Sequence, residues 1–271
     1  MPTLKIGTWN VNSLKVRLPQ VLDWVAQESP DILALQETKL TDENFPKAEI
    51  AAAGYQVCYA GQKTYNGVAI LSRTAATDIV TDLPGLDDPQ RRVLGASFGA
   101  LRVLNLYVPN GETVGSDKYR YKLDWLEKLS AYLEQQLQQH QHLVVLGDFN
   151  IAPEDRDVHD PALWQDSVLC SAPERAAFQG LLDAGFCDTF RSFEQPDKSF
   201  SWWDYRMNAF RRNMGLRIDH ILASPALCEC CVACRIDSAP RKLERPSDHT
   251  PVVAEFQIGA IYNLMVRETG R

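Results

Sequence analysis

Acids, amides and histidines stand in this sequence where short apolar runs stop. Leu4 to Trp9 runs into Asn10, Ile32 to Gln36 into Glu37, and Leu143 to Gly147 into Asp148-Phe149-Asn150. Asp219 and His220 sit inside another strand-like stretch, and Asp248-His249 immediately precedes the last one. A buried strand gains nothing from a charge at its end, because an unpaired charge costs several kcal/mol to desolvate. Any one of these sites reads as an exposed carboxylate where a strand meets a loop. All of them together suggest convergence on one rim of a β-structure. Such acids repel one another unless a divalent cation neutralises them, and hard oxygen ligands suit Mg²⁺ or Mn²⁺. A metal with a His–Asp pair is equipment for metal-assisted hydrolysis, most naturally of a phosphodiester.

The elements that must position these residues are spread along the whole chain. Leu4 to Trp9 alternates as a strand does, and Asp31 to Gln36 and Leu143 to Leu146 are short, continuous and fully buried in pattern. Strands are expected at Tyr55 to Ala60 and Val68 to Ser72 around Asn66-Gly67, and as a hairpin from Arg92 to Phe98 and Leu101 to Val108. Leu216 to Ala223 and Pro251 to Phe256 complete them. Helical spacing covers Arg17 to Gln27, Lys118 to Gln138 and Pro173 to Ala184. No Pro/Gly/Ser linker divides the chain, so the expected fold is one α+β domain over residues 1–258, a β-sandwich flanked by helices. Residues 259–271 carry no pattern and read as a tail.

Composition narrows the class. The chain has 271 residues, 45% hydrophobic and 23% charged, which excludes disorder, collagen and coiled coil. A domain of this length buries roughly 70–75% of its unfolded surface, so no disulfide or structural metal is required. Lys and Arg number 28 against 35 Asp and Glu, a net −7 that leaves room only for local basic patches. No apolar run approaches the roughly 20 residues of a membrane span. The first residues lack a signal-like apolar stretch, and seven Cys form no regular framework. The expected compartment is a reducing cytoplasm.

Six blocks then carry a resemblance. Thr8 to Leu14 (TWNVNSL), Leu35 to Lys39 (LQETK), Leu106 to Gly111 (LYVPNG), Gly147 to Ala152 (GDFNIA), Gly215 to Leu222 (GLRIDHIL) and Ser247 to Pro251 (SDHTP) resemble, in order, the exonuclease III family of DNA-repair nucleases. Ser201 to Arg206 (SWWDYR) is similar to the branch acting on damaged DNA. The resemblance implies a four-layered α/β sandwich, two packed mixed β-sheets flanked by helices, with the site at one edge. It implies Glu37 as principal metal ligand with Asn10 beside it. Asp148 would activate or orient the attacking water, and Asn150 would stabilise the charged transition state, both within reach of the metal. Asp219 would hold His249 in one tautomer, aimed at a phosphoryl oxygen or the nucleophile. Asp248 would support the metal or the His. Tyr107 would donate to the phosphate or act as a phenolate of lowered pKa. Asn12 stands where some relatives carry a second acid, which argues against a second tight metal site.

Nucleic-acid contact follows from local charge. Tyr205 to Ile218 holds Arg206, Arg211, Arg212 and Arg217 and no acid, and Arg241, Lys242 and Arg245 form a second island. These are candidate phosphate clamps. Asn110 joins the DNA-contacting set, and Trp202, Trp203, Leu216 and Ile218 would wall a pocket for an extruded abasic sugar, as the resemblance implies. For Trp203 and Ile218 a core position is equally in keeping. Two decoys fall away. Gly95 to Gly99 fits a nucleophile elbow but is followed by a strand rather than a helix. Cys228, Cys230, Cys231 and Cys234 lack a second ligand pair, and alternation would put Cys230, Val232, Cys234 and Ile236 on a core face. His140, His142 and His159 read as surface residues.

The expectation is an Mg²⁺-dependent phosphodiesterase, with Mn²⁺ as a substitute, that cuts duplex DNA 5′ to abasic sites, removes 3′-blocking groups and digests 3′ to 5′. The expected state is a monomer with no membrane and no organic cofactor. One alternative is a 3′-end trimming paralogue with little abasic endonuclease activity; another, of a different class, is a catalytically silent DNA-binding scaffold. The loops at Lys63 to Asn66, Asp155 to Val168 and Trp202 to Arg212 decide between the first two.

Overall fold

The computed structural model describes residues 3–259; the rest of the tail expected at 259–271 lies outside the described residues. Two six-stranded mixed sheets pack face to face. Along the chain run β1 (Thr3–Asn10), α1 (Leu14–Glu28), β2 (Ile32–Gln36), α2 (Lys47–Ala52), β3 (Gln56–Ala60), β4 (Val68–Ser72), β5 (Thr77–Val80), β6 (Val93–Phe98) and β7 (Leu101–Tyr107). Then come α3 (Asp117–Gln139), β8 (His142–Asp148), α4 (Pro161–Trp164), α5 (Ala172–Asp183), β9 (Cys187–Asp188), β10 (Trp202–Trp203) and β11 (Gly215–Leu216). The last are β12 (Asp219–Ala223), α6 (Pro225–Cys228), β13 (Cys231–Ile236) and β14 (Val252–Gln257). One sheet has the order β13-β14-β1-β2-β4-β3, the other β5-β6-β7-β8-β12-β9, and β10-β11 is a separate small hairpin.

The layers explain the apolar runs. Ile6, Ile32, Ile70 and Ala254 of the first sheet meet Leu94, Val103, Val144 and Ile221 of the second in one core. On the outer faces, Leu33, Leu35 and Val253 lie under Val21, Trp24 and Val25 of α1. Leu104, Val145 and Leu222 lie under Leu126, Leu129 and Phe178 of α3 and α5. Central strands are thus covered on both sides, which removes polar alternation from them. Each fully buried Leu, Ile or Val adds roughly 1.5–3 kcal/mol.

Helix ends follow local chemistry. Ser116 caps α3 by accepting from the Tyr119 backbone N–H at 3.1 Å, and Ser171 and Glu174 form a reciprocal box at the start of α5. Gly147 lies inside β8 at φ +139°, where an added Cβ would stand 1.9 Å from the Leu106 carbonyl oxygen. Only glycine lets β8 sit against β7 there, one residue before Asp148.

Several expectations change. Ser97 lies inside the continuous strand β6, opposite Arg102, as the strand reading required. The alternation assumed through the cysteines is broken by a register shift between Cys231 and Ala233, which leaves Val232 exposed while Cys234 is buried. Cys187 and Cys228 are joined in a disulfide, against the expectation of reduced thiols only; the pair links β9 to α6, a proximity invisible to spacing. No helix among the described residues is long and apolar enough to cross a membrane.

Candidate metal-dependent active site

Strand register assembles the site. In the second sheet Asp148 pairs with Tyr107 of β7 and with Asp219 of β12. In the first, Asn10 pairs with Gln36, so Glu37 emerges beside it. The segment before β14 is pinned to the same rim: Ser247 Oγ donates to the Asn10 carbonyl oxygen at 2.7 Å, and Trp9 Nε1 to that of His249 at 3.3 Å. β10 runs alongside it, with Thr250 N–H donating to Ser201 O and Trp203 N–H to Asp248 O.

Glu37, Asp148 and His249 each offer a ligand atom, and these atoms lie within 4.8 Å of one another. Two carboxylates and an imidazole at that spacing fit a divalent cation. Among the described residues no other group of His, Cys, Asp and Glu side chains gathers so closely. Asn10, fully buried, donates its amide N–H groups to Glu37 Oε1 and Asp148 Oδ2, both at 2.9 Å. Its oxygen accepts from the Asn12 N–H at 3.0 Å, so Asn10 ties the two acids together and to the turn that follows it. Glu37 has left-handed backbone, φ 50°, a strain of roughly 1 kcal/mol or more that aims its side chain at the rim. Lys39, not singled out from the sequence although it closes the LQETK block, sits 2.9 Å from Glu37 Oε2.

His249 is 4% exposed, and its Nδ1–H donates to Asp219 at 2.9 Å. Asp219 in turn accepts from Ser201 Oγ at 2.7 Å. The other ring nitrogen stands 3.7 Å from Asp148 Oδ2. Burial pulls the imidazole pKa down, but Asp219, then Asp148 and Asp248, outweigh it and carry the group up to about 10. Burial likewise raises Asp148, with Asp219 and Glu37 adding to it and His249 and Asn10 opposing, to about 7. Both shifts mean that the fold holds a proton here more tightly than the unfolded chain does. The stabilisation from Asp148 is complete below about pH 4 and is lost as pH rises through about 7; that from His249 is complete below about pH 6.5 and lost through about 10. Protons compete with a cation for Asp148 more strongly at pH 6 than at pH 8. The rise in melting temperature on adding Mg²⁺ is therefore expected to be larger at pH 8; equal increments at both pH values would contradict the ligand role of Asp148.

Tyr107 is a neutral phenol. Burial first, then the charges of Glu37 and Asp148, push its pKa well above the ordinary value despite the Arg92 guanidinium 4.7 Å from its ring. Of the two expected roles, hydrogen-bond donation is the one these surroundings favour. Asn150 is held through its backbone and its side chain. Its N–H donates to Asp148 Oδ1 at 2.9 Å, its Nδ2 to Val108 O at 2.9 Å, and its Oδ1 accepts from Asn110 Nδ2 at 3.1 Å. Asp248 lies on the pocket wall and accepts from Asn12 Nδ2 at 2.9 Å and Trp202 Nε1 at 3.0 Å. It therefore braces the wall rather than joining the three-ligand group.

The cavity over these residues measures about 320 Å³. Trp202 and Ile218 wall it as expected, but Leu216 is fully buried behind it, packed on Val158 and Leu169. The missing wall comes from Trp164, Val168 and Leu169. Trp164 stands edge-on to Trp202, centroids 6.5 Å apart. Nothing in the polar run around Trp164 signalled this. Trp203 is core, 3% exposed.

The basic islands divide. Arg211 and Arg212 are exposed, and Arg206 is exposed but held by Asp204 at 2.6 Å. Arg217 is 1% exposed and locked to Asp157 and Asp188, and Arg241 is 6% exposed, donating to Ser247 O. Both are internal braces, not phosphate clamps; the partners of Arg217 lie far away in sequence, while that of Arg241 is six residues on. A second cavity, about 610 Å³, opens at Lys39 and carries Lys15 and Lys63, a basic lining the sequence reading missed.

The fold and rim define a metal-assisted phosphoesterase scaffold. Residues 7–249 match the model of the Endonuclease/Exonuclease/phosphatase family, and the chain belongs to that family. It is 37% identical to exodeoxyribonuclease III of Haemophilus influenzae over 94% of this chain and 100% of that one. It is 34% identical to the DNA repair nuclease APEX1 of Danio rerio, over 92% of this chain and 81% of that one. Among solved structures it is similar to a Neisseria 3′ phosphatase, NExo, bound to a product DNA hairpin, with TM-score 0.92, 49% identity, and coverage of 93% and 99% of the two chains. An AP endonuclease from Archaeoglobus fulgidus gives TM-score 0.90 and 40% identity, covering 94% of this chain and 100% of that one.

Proposed function

We propose that this hydrolase of DNA phosphodiester bonds is an Mg²⁺-dependent repair nuclease that cuts duplex DNA 5′ to abasic sites and clears blocked 3′ ends. The observation that carries the reading is the meeting of Glu37, Asp148 and His249 beside a pocket walled by Trp164, Trp202 and Ile218. Glu37 and Asp148 would hold the cation, which supplies charge neutralisation at a phosphoryl oxygen and lowers the pKa of a bound water. The chain's own groups do the rest. Asp148 takes a proton from the attacking water as its oxygen bonds to phosphorus and the bond to the departing sugar oxygen breaks, that oxygen taking its proton from solvent. His249, protonated and oriented by Asp219, donates from Nε2 to a phosphoryl oxygen. Tyr107 and the Asn110–Asn150 pair aim neutral donors at the same group, and stabilisation of this kind is worth about 10²–10³ per donor. The scaffold alternative has no use for two carboxylates beside a DNA phosphate.

A second reading has a specific support. The trimming alternative predicts a narrowed sugar pocket, and the Asp155 to Val168 loop swings Trp164 across from Trp202. One assay separates them: a duplex with a tetrahydrofuran abasic analogue and a nicked duplex with a 3′-phosphoglycolate, each with Mg²⁺ or EDTA. Cleavage of both is expected; cleavage of the second alone selects the trimming enzyme, and binding without cleavage selects the scaffold. Replacing Arg211 or Arg212 by Ala should flatten the dependence of log affinity on log salt by about one unit for each phosphate the side chain had neutralised. An unchanged slope would remove them from the DNA footprint.

A further inference from the structure

A lysine and a glutamate are sealed into the interface between α3 and α5, just under the catalytic rim. Lys122 and Glu174 side chains are both 0% exposed and bonded to each other. Elsewhere α3 and α5 pack through Leu126, Leu129, Phe178 and Leu181. A buried pair contributes little to stability over an apolar pair of equal volume. Its remaining partners explain it better. The Lys122 ammonium donates to the carbonyl oxygens of Asn150 at 2.7 Å and Asn110 at 3.1 Å, which together with Glu174 uses all three of its N–H groups. Glu174 accepts from the Leu169 N–H at 3.0 Å, from the Ser171 N–H at 3.2 Å and from the Ser171 hydroxyl. One end of the pair thus holds the backbone of Asn110 and Asn150, both of which line the pocket. The other holds the chain that presents Val168 and Leu169 to the pocket.

Both tethered segments need holding. Asn150 and Leu169 have left-handed backbone, φ 50° and 76°, and for Leu that region is costly. Gly111, at φ +93°, turns directly over the lysine stem: an added Cβ would lie 3.1 Å from Lys122 Cδ and 3.2 Å from Val168 Cγ2.

We propose that the Lys122–Glu174 pair is a positioning device that sets Asn110 and Asn150 against the reacting phosphate and fixes the Val168–Leu169 wall in register with them, so that it tunes both turnover and the choice between internal abasic and 3′-terminal substrates. This rests on the roles given above to Asn110, Asn150 and the pocket.

The test uses the full chain. Lys122→Met alone strands a buried carboxylate and is expected to fold poorly. The double variant Lys122→Met/Glu174→Gln removes both charges at nearly constant volume, and Glu174→Gln alone releases the wall while leaving the lysine on its two carbonyls. The measurements are thermal midpoint, Mn²⁺ affinity, amide exchange at Leu169, and kcat and KM on the abasic-analogue and 3′-phosphate duplexes. The double variant should bind Mn²⁺ as the parent does and keep KM within about threefold, with kcat lower by about 10–100-fold. Glu174→Gln should shift the ratio of the two kcat/KM values by about tenfold and speed Leu169 exchange. A folded double variant with parental kcat, or a Glu174→Gln protein with an unchanged ratio, overturns the proposal; should the double variant fail to fold, the single variant decides. A parent that cleaves neither duplex refutes the functional reading instead, and Leu169 exchange in Glu174→Gln still reports whether the wall hangs on the pair.

Discussion

Asp148→Asn is expected to lower kcat by about three to four orders of magnitude while DNA affinity holds or rises. The carboxylate is 1% exposed and accepts from Asn10 and from the Asn150 backbone, so a near-isosteric amide keeps the shape of the rim. It loses two things together: the negative oxygen that faces a cation beside Glu37, and the ability to take a proton from water. It also loses a negative charge beside an anionic substrate, which is why binding does not suffer. Single-turnover cleavage with a parallel binding titration checks this. Equal losses in turnover and in affinity would mean that Asp148 serves to hold DNA and not to cut it.

Asp219→Asn should cost about 10²–10⁴ in kcat and should move the alkaline limb of the pH–rate profile to lower pH. Burial alone would depress the His249 pKa; Asp219 is the foremost of the charges that reverse it and bring it to about 10. An amide at 219 removes that charge and also offers a donor where the ring needs an acceptor, so the tautomer is no longer enforced. If protonated imidazole is the working form, activity now fails at lower pH than in the parent. An alkaline limb that stays in place would assign His249 some other form or role.

Much of this site could be read before any coordinates. Asn10, Glu37, Asp148, Asn150, Asp219 and His249 all sit where buried strands end, and the need to compensate charge there is a local, energetic signal. The helices at α1, α3 and α5 and the core strands were legible for the same reason, within a few residues at each end. Arg217 and Arg241 show the limit. As charges in a row they resembled a DNA footprint, yet each is sealed inside: Arg217 by carboxylates distant in the chain, Arg241 by the carbonyl of nearby Ser247 and the rings of Trp203 and Phe210. Leu216 and Trp164 exchange roles for a related reason: an apolar residue in a strand can face either way, and a loop tryptophan has no periodicity to betray it.

By itself the sequence determined which residue types stand at strand ends, how the apolar runs are spaced, and hence the layered sandwich and its acidic rim. These follow from solvation and from the two- and 3.6-residue periods of strand and helix, which act over short stretches. Only the tertiary structure decided that Asn10 bridges the acids, that Tyr107 keeps its proton, which arginines remain free, and that Lys122 and Glu174 reach from a helix interface to the rim. Those depend on contacts between segments far apart in the chain, where burial and charge at a few ångströms override anything local pattern can express.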